Sequence, residues 1–417
     1  MSWKLLIQYH RNRTSKVCWP KNVVRKCSLK ADPYTWLLHQ SPATSVLSIF
    51  KKYFSDQVIC DIVKFTNDYK IDGKSLNPSL RKGEAKVLIG VLILFGVYQI
   101  SDKKLGWPNG LHKLQGAPTP HLIEESGMSR HRFQDVLRFF RVSKEYPVFN
   151  VVDRNDTEQK RKYAYSRTVG KIEYIWHHVR KTSKLIYKPS SNVSVDEVMV
   201  RFGGRSAYTF LMRQKPDPRG YKVFALADSN GFISSFHLAA AGIKSNLEFP
   251  RQDYYDGCTS TAEGVIWLIN DLLSKPSLRK RVFRVFMDNF FSSTKLFSYL
   301  RSQGIGACGT FRSNYYGRLD KEVDVRKLPV HSVVSRNEDG VLCTIWRDVN
   351  AVHIMTTIHE ADEKCTMRKH LPSSALHGRG FIASGLRMLF TNEVTGRVSR
   401  EKDITVPKWI LEYNEYM

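Results

Sequence analysis

The chain has 417 residues, enough for two or three domains and a sizeable core. Its 65 Lys plus Arg against 39 Asp plus Glu leave a net charge of +26, while 42% of residues are hydrophobic and 12% aromatic. That balance excludes a wholly disordered polar chain and points to a polyanionic partner, nucleic acid ahead of a membrane surface, with a merely solvated basic surface as the alternative. The seven cysteines are scattered without a CxxC pair, which argues against a disulfide framework or a zinc site and favours a reducing compartment. No run is long enough to span a bilayer; the greasiest, VLIGVLILFGVY (Val87 to Tyr98), reads as a buried helix.

Residues 1–40 begin with eight Lys/Arg and no acid in the first thirty and read as a basic, disordered arm, with a transit peptide as the alternative. From Ser41 to about Ile186 the pattern is helical. Ser41-Pro42 reads as a helix start, followed by apolar residues at helix spacing from Val46 to Phe54, a second helix around Val58 to Phe65, and the buried helix ending near Ile100. Leu105 to Pro120 is a Gly- and Pro-rich loop. Two short helices then flank Gly127, with Ser129 as a cap and Phe133, Val136, Leu137 and Phe140 as an apolar stripe. Arg130, His131, Arg132, Arg138 and Arg141 make this pair either a DNA-reading helix-turn-helix or an ordinary helical hairpin with a basic face. Glu145 to Arg167 reads as a charged linker or exposed loop, and a last helix covers roughly Val169 to Tyr187. His177 and His178 on it are adjacent, which is not the same-face spacing of a helical metal site.

At Pro189 the character changes. Val193 to Phe202 reads as a strand with Asp196, Val198, Val200 and Phe202 on one face and Val195 and Met199 on the other. Both faces are apolar, so the strand is expected inside a sheet, where a buried carboxylate needs a positive partner. Strands follow at Lys222 to Ala227 and Phe232 to Leu238, joined by Asp228-Ser229-Asn230-Gly231 as a hairpin. A helix starts near Thr261, with Ser260 and Glu263 at capping-box spacing, then a strand at Val282 to Met287, a helix from Ser293 and a strand at Ala307 to Phe311. Three antiparallel strands followed by right-handed crossovers give an α/β, RNase H-like mixed sheet with flanking helices. Strands one and four are then neighbours, which brings Asp196 beside Asp288, 92 residues further on. Beyond Asn314 only Val341 to Trp346 and Ala351 to Thr357 read as strands, the remainder to Ile404 being basic and irregular. The final VPKWILEYNEYM does not resemble a domain terminus.

Two adjacent carboxylates repel and raise each other's pKa, and a divalent metal removes that penalty. Mg²⁺ takes hard oxygen ligands, often one or two carboxylates plus substrate phosphates, and two-metal sites cleave phosphodiesters. The plainer alternative makes Asp196 and Asp288 salt-bridged or capping residues, Asp288 standing just before a helix.

VSVDEVMVRFGGRS, KPDPRGYKVFALADSNGF and VFMDNFFSSTKLFSYLRSQGIGACGTFRSN together resemble the catalytic core of the piggyBac family of DDE/D transposases. IFKKYFSDQVICDIVKFTNDYK, MSRHRFQDVLRFFRV, LCTIWRDVNAVHIMTTIH and VPKWILEYNEYM extend the resemblance over Ser45 to Met417. It implies a helical dimerisation and DNA-binding region (41–188), a first part of the catalytic core (189–314), an insertion domain (315–404) and the start of the core's second part (405–417). It also implies a nuclear homodimer that binds double-stranded DNA, moves it at TTAA sites and uses Mg²⁺ or Mn²⁺. The family's first two catalytic Asp fall on Asp196 and Asp288. Its third follows Tyr413, Asn414 and Met417 in a Gly-Gly-Val-Asp sequence that this chain does not contain, and Asp348, Asp403, Glu412 and Glu415 do not match its position. The expectation is a DNA-binding chain that cleaves poorly or not at all. The alternatives are a domesticated, non-catalytic DNA-binding or chromatin-associated protein and a fragment without a stable product.

Overall fold

In the computed structural model, the residues described are 46–97, 107, 123, 126–145, 153, 155–213, 215–241, 259–312, 324, 327–348, 350–370, 390–392, 398 and 400–417. The basic arm, the Ser41-Pro42 start and most of the Leu105 to Pro120 loop lie outside them.

The helical part opens with α1 (Val46–Tyr53), α2 (Asp56–Asp68), α3 (Lys82–Val97) and α4 (Arg130–Phe139). Ser55 and Ser129 cap α2 and α4 by accepting from the N–H of Val58 and Arg132. Ile59, Leu88, Ile89, Phe133 and Val136 meet in one cluster, each fully buried side chain worth roughly 1.5–3 kcal/mol. α3 is less enclosed than its sequence suggests: Ala85, Leu88, Ile89 and Val91 are buried, but Ile93 and Val97 are exposed. Two of the basic side chains around α4 are used internally. Arg132 makes a two-pronged pair with Glu84 of α3, at 2.5 and 2.8 Å, and Arg141 lies over the Tyr69 ring. The helix expected before Gly127 lies almost wholly outside the described residues.

The stretch expected to be a linker contains α5 (Thr157–Arg167). Its apolar periodicity is weak, and local polar groups specify it instead: Asp156 caps it through the N–H of Glu158 and Gln159, and Arg161 pairs with Glu158 one turn away. A 3₁₀ turn at Val169–Lys171 precedes α6 (Glu173–Ile186), where a single helix was expected. His177 and His178 on α6 bond to Arg180 and the Tyr53 carbonyl, as packing histidines do.

The sheet joins nine described strands: β1 (Asn192–Arg201), β2 (Phe210–Leu211), β3 (Arg219–Asp228), β4 (Ile233–Ala239), β5 (Arg284–Met287), β6 (Gly306–Thr310), β7 (Val333–Glu338), β8 (Val341–Arg347) and β9 (Ala351–Thr356). The order runs β2-β3-β1-β5-β6-β9-β8-β7, with β4 also on β3. β1, β5 and β6 are parallel and every other pair is antiparallel. The Asn230-Gly231 hairpin forms as expected, Gly231 taking φ +77°. β7, which has little alternation, pairs β8 at the far edge.

Val193, Val195, Val285 and Met287 point to the face covered by α7 (Ser260–Leu273) and α9 (Thr294–Ser302), with the four-residue α8 (Pro276–Arg279) between them. Thr259, not Ser260, caps α7, accepting from the Ala262 N–H. Phe286 and Cys308 point to the opposite face, where Trp409 and Ile410 of α10 (Lys408–Tyr416) pack. α10 follows a separate ribbon of β10 (Lys364–His370) and β11 (Glu401–Pro407), two strands with no counterpart in the sequence reading. No described helix is long and apolar enough to cross a membrane.

Candidate active site

The parallel register of β1 and β5 fixes where the two carboxylates stand. Val195 is opposite Met287, the last pair of the ladder, so Asp196 and Asp288 leave neighbouring strands one residue beyond it. Side chains alternate, which puts both on the face of Phe286 and α10, at the carboxyl end of β5.

The two differ in setting. β1 continues six residues past its pairing with β5, held there by β3 alone, so Asp196 is exposed, as are Val198 and Val200 on the same face. An inner strand was expected and is found, but the buried Asp196 was not. Burial of that face ends with the ladder to β5, which a run of alternating apolar residues does not reveal. The Asp196 Oδ1 accepts from the Glu197 N–H at 2.7 Å.

Asp288 is half-buried at a tight turn. Its Oδ1 accepts from the Phe290 N–H at 2.9 Å, and its carbonyl accepts from the N–H of Phe291 and Ser292 and from Ser292 Oγ. The helix cap that follows is Ser293, so capping is not what Asp288 does. Burial pushes its pKa up, the Phe290 N–H opposes that, and the charges of Asp196 and Glu197 push it up further. Gly309 on β6 lets this turn sit close, because a Cβ there would run into Ser292 Oγ and the Met287 carbonyl.

Two neighbours complete the surroundings. The Tyr413 hydroxyl on α10 lies 3.5 Å from Thr310 Oγ1, its pKa raised by burial and, among smaller effects, by the charges of Asp288 and Asp196. Arg312 Nε donates to Asn289 Oδ1 at 3.4 Å, beside Asp288. Glu197 and Lys222, which form an ion pair at 2.5 Å on the opposite face of the sheet, are not singled out by the sequence pattern. The available signal was the charged residue that opens the apolar run KVFALA.

Three of the remaining carboxylates weighed from the sequence have partners of their own. Glu412 bonds Arg284 at 2.7 Å and His359 at 3.1 Å, Asp348 pairs with Lys369, and Asp403 with Arg368. Glu415 is exposed on α10. No cluster of three or more His, Cys, Asp or Glu suited to a metal occurs among the described residues. The pair itself has the chemistry of a divalent-cation site: hard oxygen donors, one accessible, the other strained by burial and like charge that a cation would relieve.

The chain matches, over residues 45–417, the model of a family described as Transposase IS4. It is 24% identical over 392 residues to human PiggyBac transposable element-derived protein 2, covering 88% of this chain and 61% of that protein. With human PiggyBac transposable element-derived protein 3 it shares 23% identity over 333 residues, 78% of this chain and 50% of that one. The chain therefore spans about half to three-fifths of the length of these relatives. Among solved structures, a piggyBac transposase synaptic complex with hairpin DNA superimposes with a TM-score of 0.59 at 18% identity, over 88% of this chain and 65% of that one. That likeness carries the fold, and the strand order above is the RNase H-like one. On the match across nearly its whole length, the chain belongs to the Transposase IS4 family, in its piggyBac branch.

Proposed function

We propose that the chain is a piggyBac-like DDE/D transposase or a domesticated derivative, which binds double-stranded DNA as a nuclear homodimer and, with a complete carboxylate set, cleaves and joins strands at TTAA sites. The observation that carries this reading is the juxtaposition of Asp196 and Asp288 just past the end of the parallel β1–β5 ladder, in a chain of charge +26. DNA supplies the anionic partner that such a charge calls for.

Asp196 and Asp288 would hold Mg²⁺ or Mn²⁺, which supplies Lewis acidity and an activated oxygen nucleophile at neutral pH. The chain's own residues prepare the site. Phe290 N–H orients the Asp288 carboxylate, the Asp288 carbonyl closes the turn, and Gly309 lets that turn approach β6. The exposed Arg201, Arg205, Arg213 and Arg219 lie toward the far ends of β1 to β3, further along the strand from Asp196, and would take DNA phosphates there. Cleavage would rest on these carboxylates, since each 1.36 kcal/mol lost from transition-state stabilisation is about tenfold in rate.

Calorimetric titration with Mn²⁺, and duplex binding followed by anisotropy, test the proposal. Expected is Mn²⁺ binding that Asp196→Asn and Asp288→Asn each weaken by at least about tenfold, together with DNA binding that both variants retain. Mn²⁺ affinity indifferent to both substitutions would sink the metal reading. Mn²⁺-dependent nicking of TTAA-flanked ends that is indifferent to Asp196→Asn and Asp288→Asn would take cleavage away from this site. A second reading is a non-catalytic DNA-binding protein with the catalytic fold kept as scaffold. It predicts that Asp196→Asn leaves the cellular role untouched.

A further inference from the structure

Behind the carboxylates lies a charged group that the proposed chemistry does not use. Lys222 on β3 is only 5% exposed, and its Nζ sits 2.5 Å from Glu197 Oε2. The pairing follows from register: Glu197 is opposite Phe224 and Met199 opposite Lys222, so all four share one face of the β1–β3 ladder. Three rings surround the ammonium. The Phe290 centroid is 4.0 Å away, Phe224 5.2 Å and Phe210 5.7 Å, all within cation–π range.

The partners of Lys222 are the residues next to the site. Glu197 follows Asp196 in β1, and Phe290 is two residues beyond Asp288 in the turn that orients its carboxylate. We infer that Lys222 is a positioning residue: by pairing with Glu197 and stacking against Phe290, it ties the turn that carries Asp288 to the strand that carries Asp196. The consequence for metal binding rests on the function proposed above; the mechanical tie does not.

Stability alone does not account for such a group. A buried ion pair adds little over well-packed apolar residues of the same volume, so its value lies in the geometry that it fixes. β1 and β5 share no hydrogen bonds beyond Val195 and Met287, which leaves both Asp just past the end of the ladder. A contact running from β3 through β1 to the 288–291 turn supplies the constraint that the missing rungs do not. Lys222 also balances the Glu197 charge, one of those acting on Asp288.

Amide hydrogen exchange on the metal-free 417-residue chain tests the tie directly. Lys222→Met keeps the length of the side chain and removes its charge, and Lys215, 3.8 Å from Glu197, remains as a partner for the carboxylate. Phe290→Leu is the milder second variant, since Phe290 is 38% exposed. In both, the amides of Phe290, Phe291 and Ser292 are expected to exchange at least about tenfold faster, with those of Val265 to Ile269 in α7 unchanged. Parent-like rates at the turn in both variants overturn the inference, as does equal acceleration throughout α7, which would mark a general loss of stability. Mn²⁺ titration of the same samples separates the two claims. A parent chain that does not bind Mn²⁺ refutes the metal reading while the exchange data still decide the tie. A loosened turn with unchanged Mn²⁺ affinity breaks the link between tie and site; the expected result is an affinity lowered by about tenfold.

Discussion

Asp288 carries the electrostatic cost of the site. Burial, then the charges of Asp196 and Glu197, raise its pKa in the folded chain above the unfolded value. The folded state therefore holds the proton more tightly, and the associated stability is full below the unfolded pKa and lost as pH rises through the folded one. At neutral pH the ionised group works against folding in the metal-free chain. Asp288→Asn should accordingly raise the metal-free melting temperature at pH 7, lose that advantage at pH 3, and lose the Mn²⁺-induced rise that is expected of the parent. Differential scanning calorimetry at the two pH values checks all three; a lower metal-free melting temperature at pH 7 contradicts the account. Both Asp were legible because each interrupts or ends an apolar strand run. The exposure of Asp196 was not, since it depends on where β5 stops relative to β1. Glu197 and Lys222 were invisible as a pair, because only the hairpin register brings residues 25 positions apart onto one face.

At the level of elements, α10 closes the face on which the carboxylates stand, and a polar knot fixes it there. Glu412 accepts from Arg284 of β5 and bonds His359, whose Nδ1 lies 2.8 Å from Thr356 Oγ1 of β9. Burial pushes the Glu412 carboxyl up, but the His359 hydrogen bond and the Arg284 and Lys408 charges outweigh it and leave it below the usual carboxylate range. This is the opposite sign from Asp288: the stabilisation is present above the unfolded pKa and lost as pH falls through the folded one. Glu412→Gln should cost about 1.5–3 kcal/mol at pH 7, the range for hydrogen bonds to charged groups, and the deficit should shrink toward zero in acid. Urea denaturation at pH 7 and pH 3 measures it, and equal stability at pH 7 would remove the knot from the account of α10. Helices with a strong apolar stripe, such as α2, α7 and α9, were readable from spacing. α5 was not, because Asp156 and the Glu158–Arg161 pair specify it without a stripe. β10 and β11 escaped because their pairing is non-local and their exposed faces are charged, whereas β7, joined to β8 by the tight Asp339-Gly340 turn, escaped because it has little alternation.

For the whole molecule, the proposed DNA partner raises the question of which of the 65 basic side chains would meet it. The sequence placed candidates on the helical pair around Gly127, yet Arg132 is clamped to Glu84 and Arg141 covers Tyr69. The exposed arginines at the far ends of β1, β2 and β3 are better placed, since β1 carries Asp196 straight toward them. Each phosphate contact releases counterions and adds about 0.9 to the slope of log affinity against log salt. If Arg201 and Arg219 both touch phosphates, the double Ala variant should reduce that slope by about 2 and weaken binding to all duplex sequences alike, a phosphate contact carrying no base readout. Arg132→Ala should behave in the opposite way, lowering stability while leaving the slope unchanged. Anisotropy titrations from about 50 to about 200 mM salt separate the two. An unchanged slope for Arg201→Ala/Arg219→Ala would move the DNA path off this edge of the sheet, and a reduced slope for Arg132→Ala would return it to the helices.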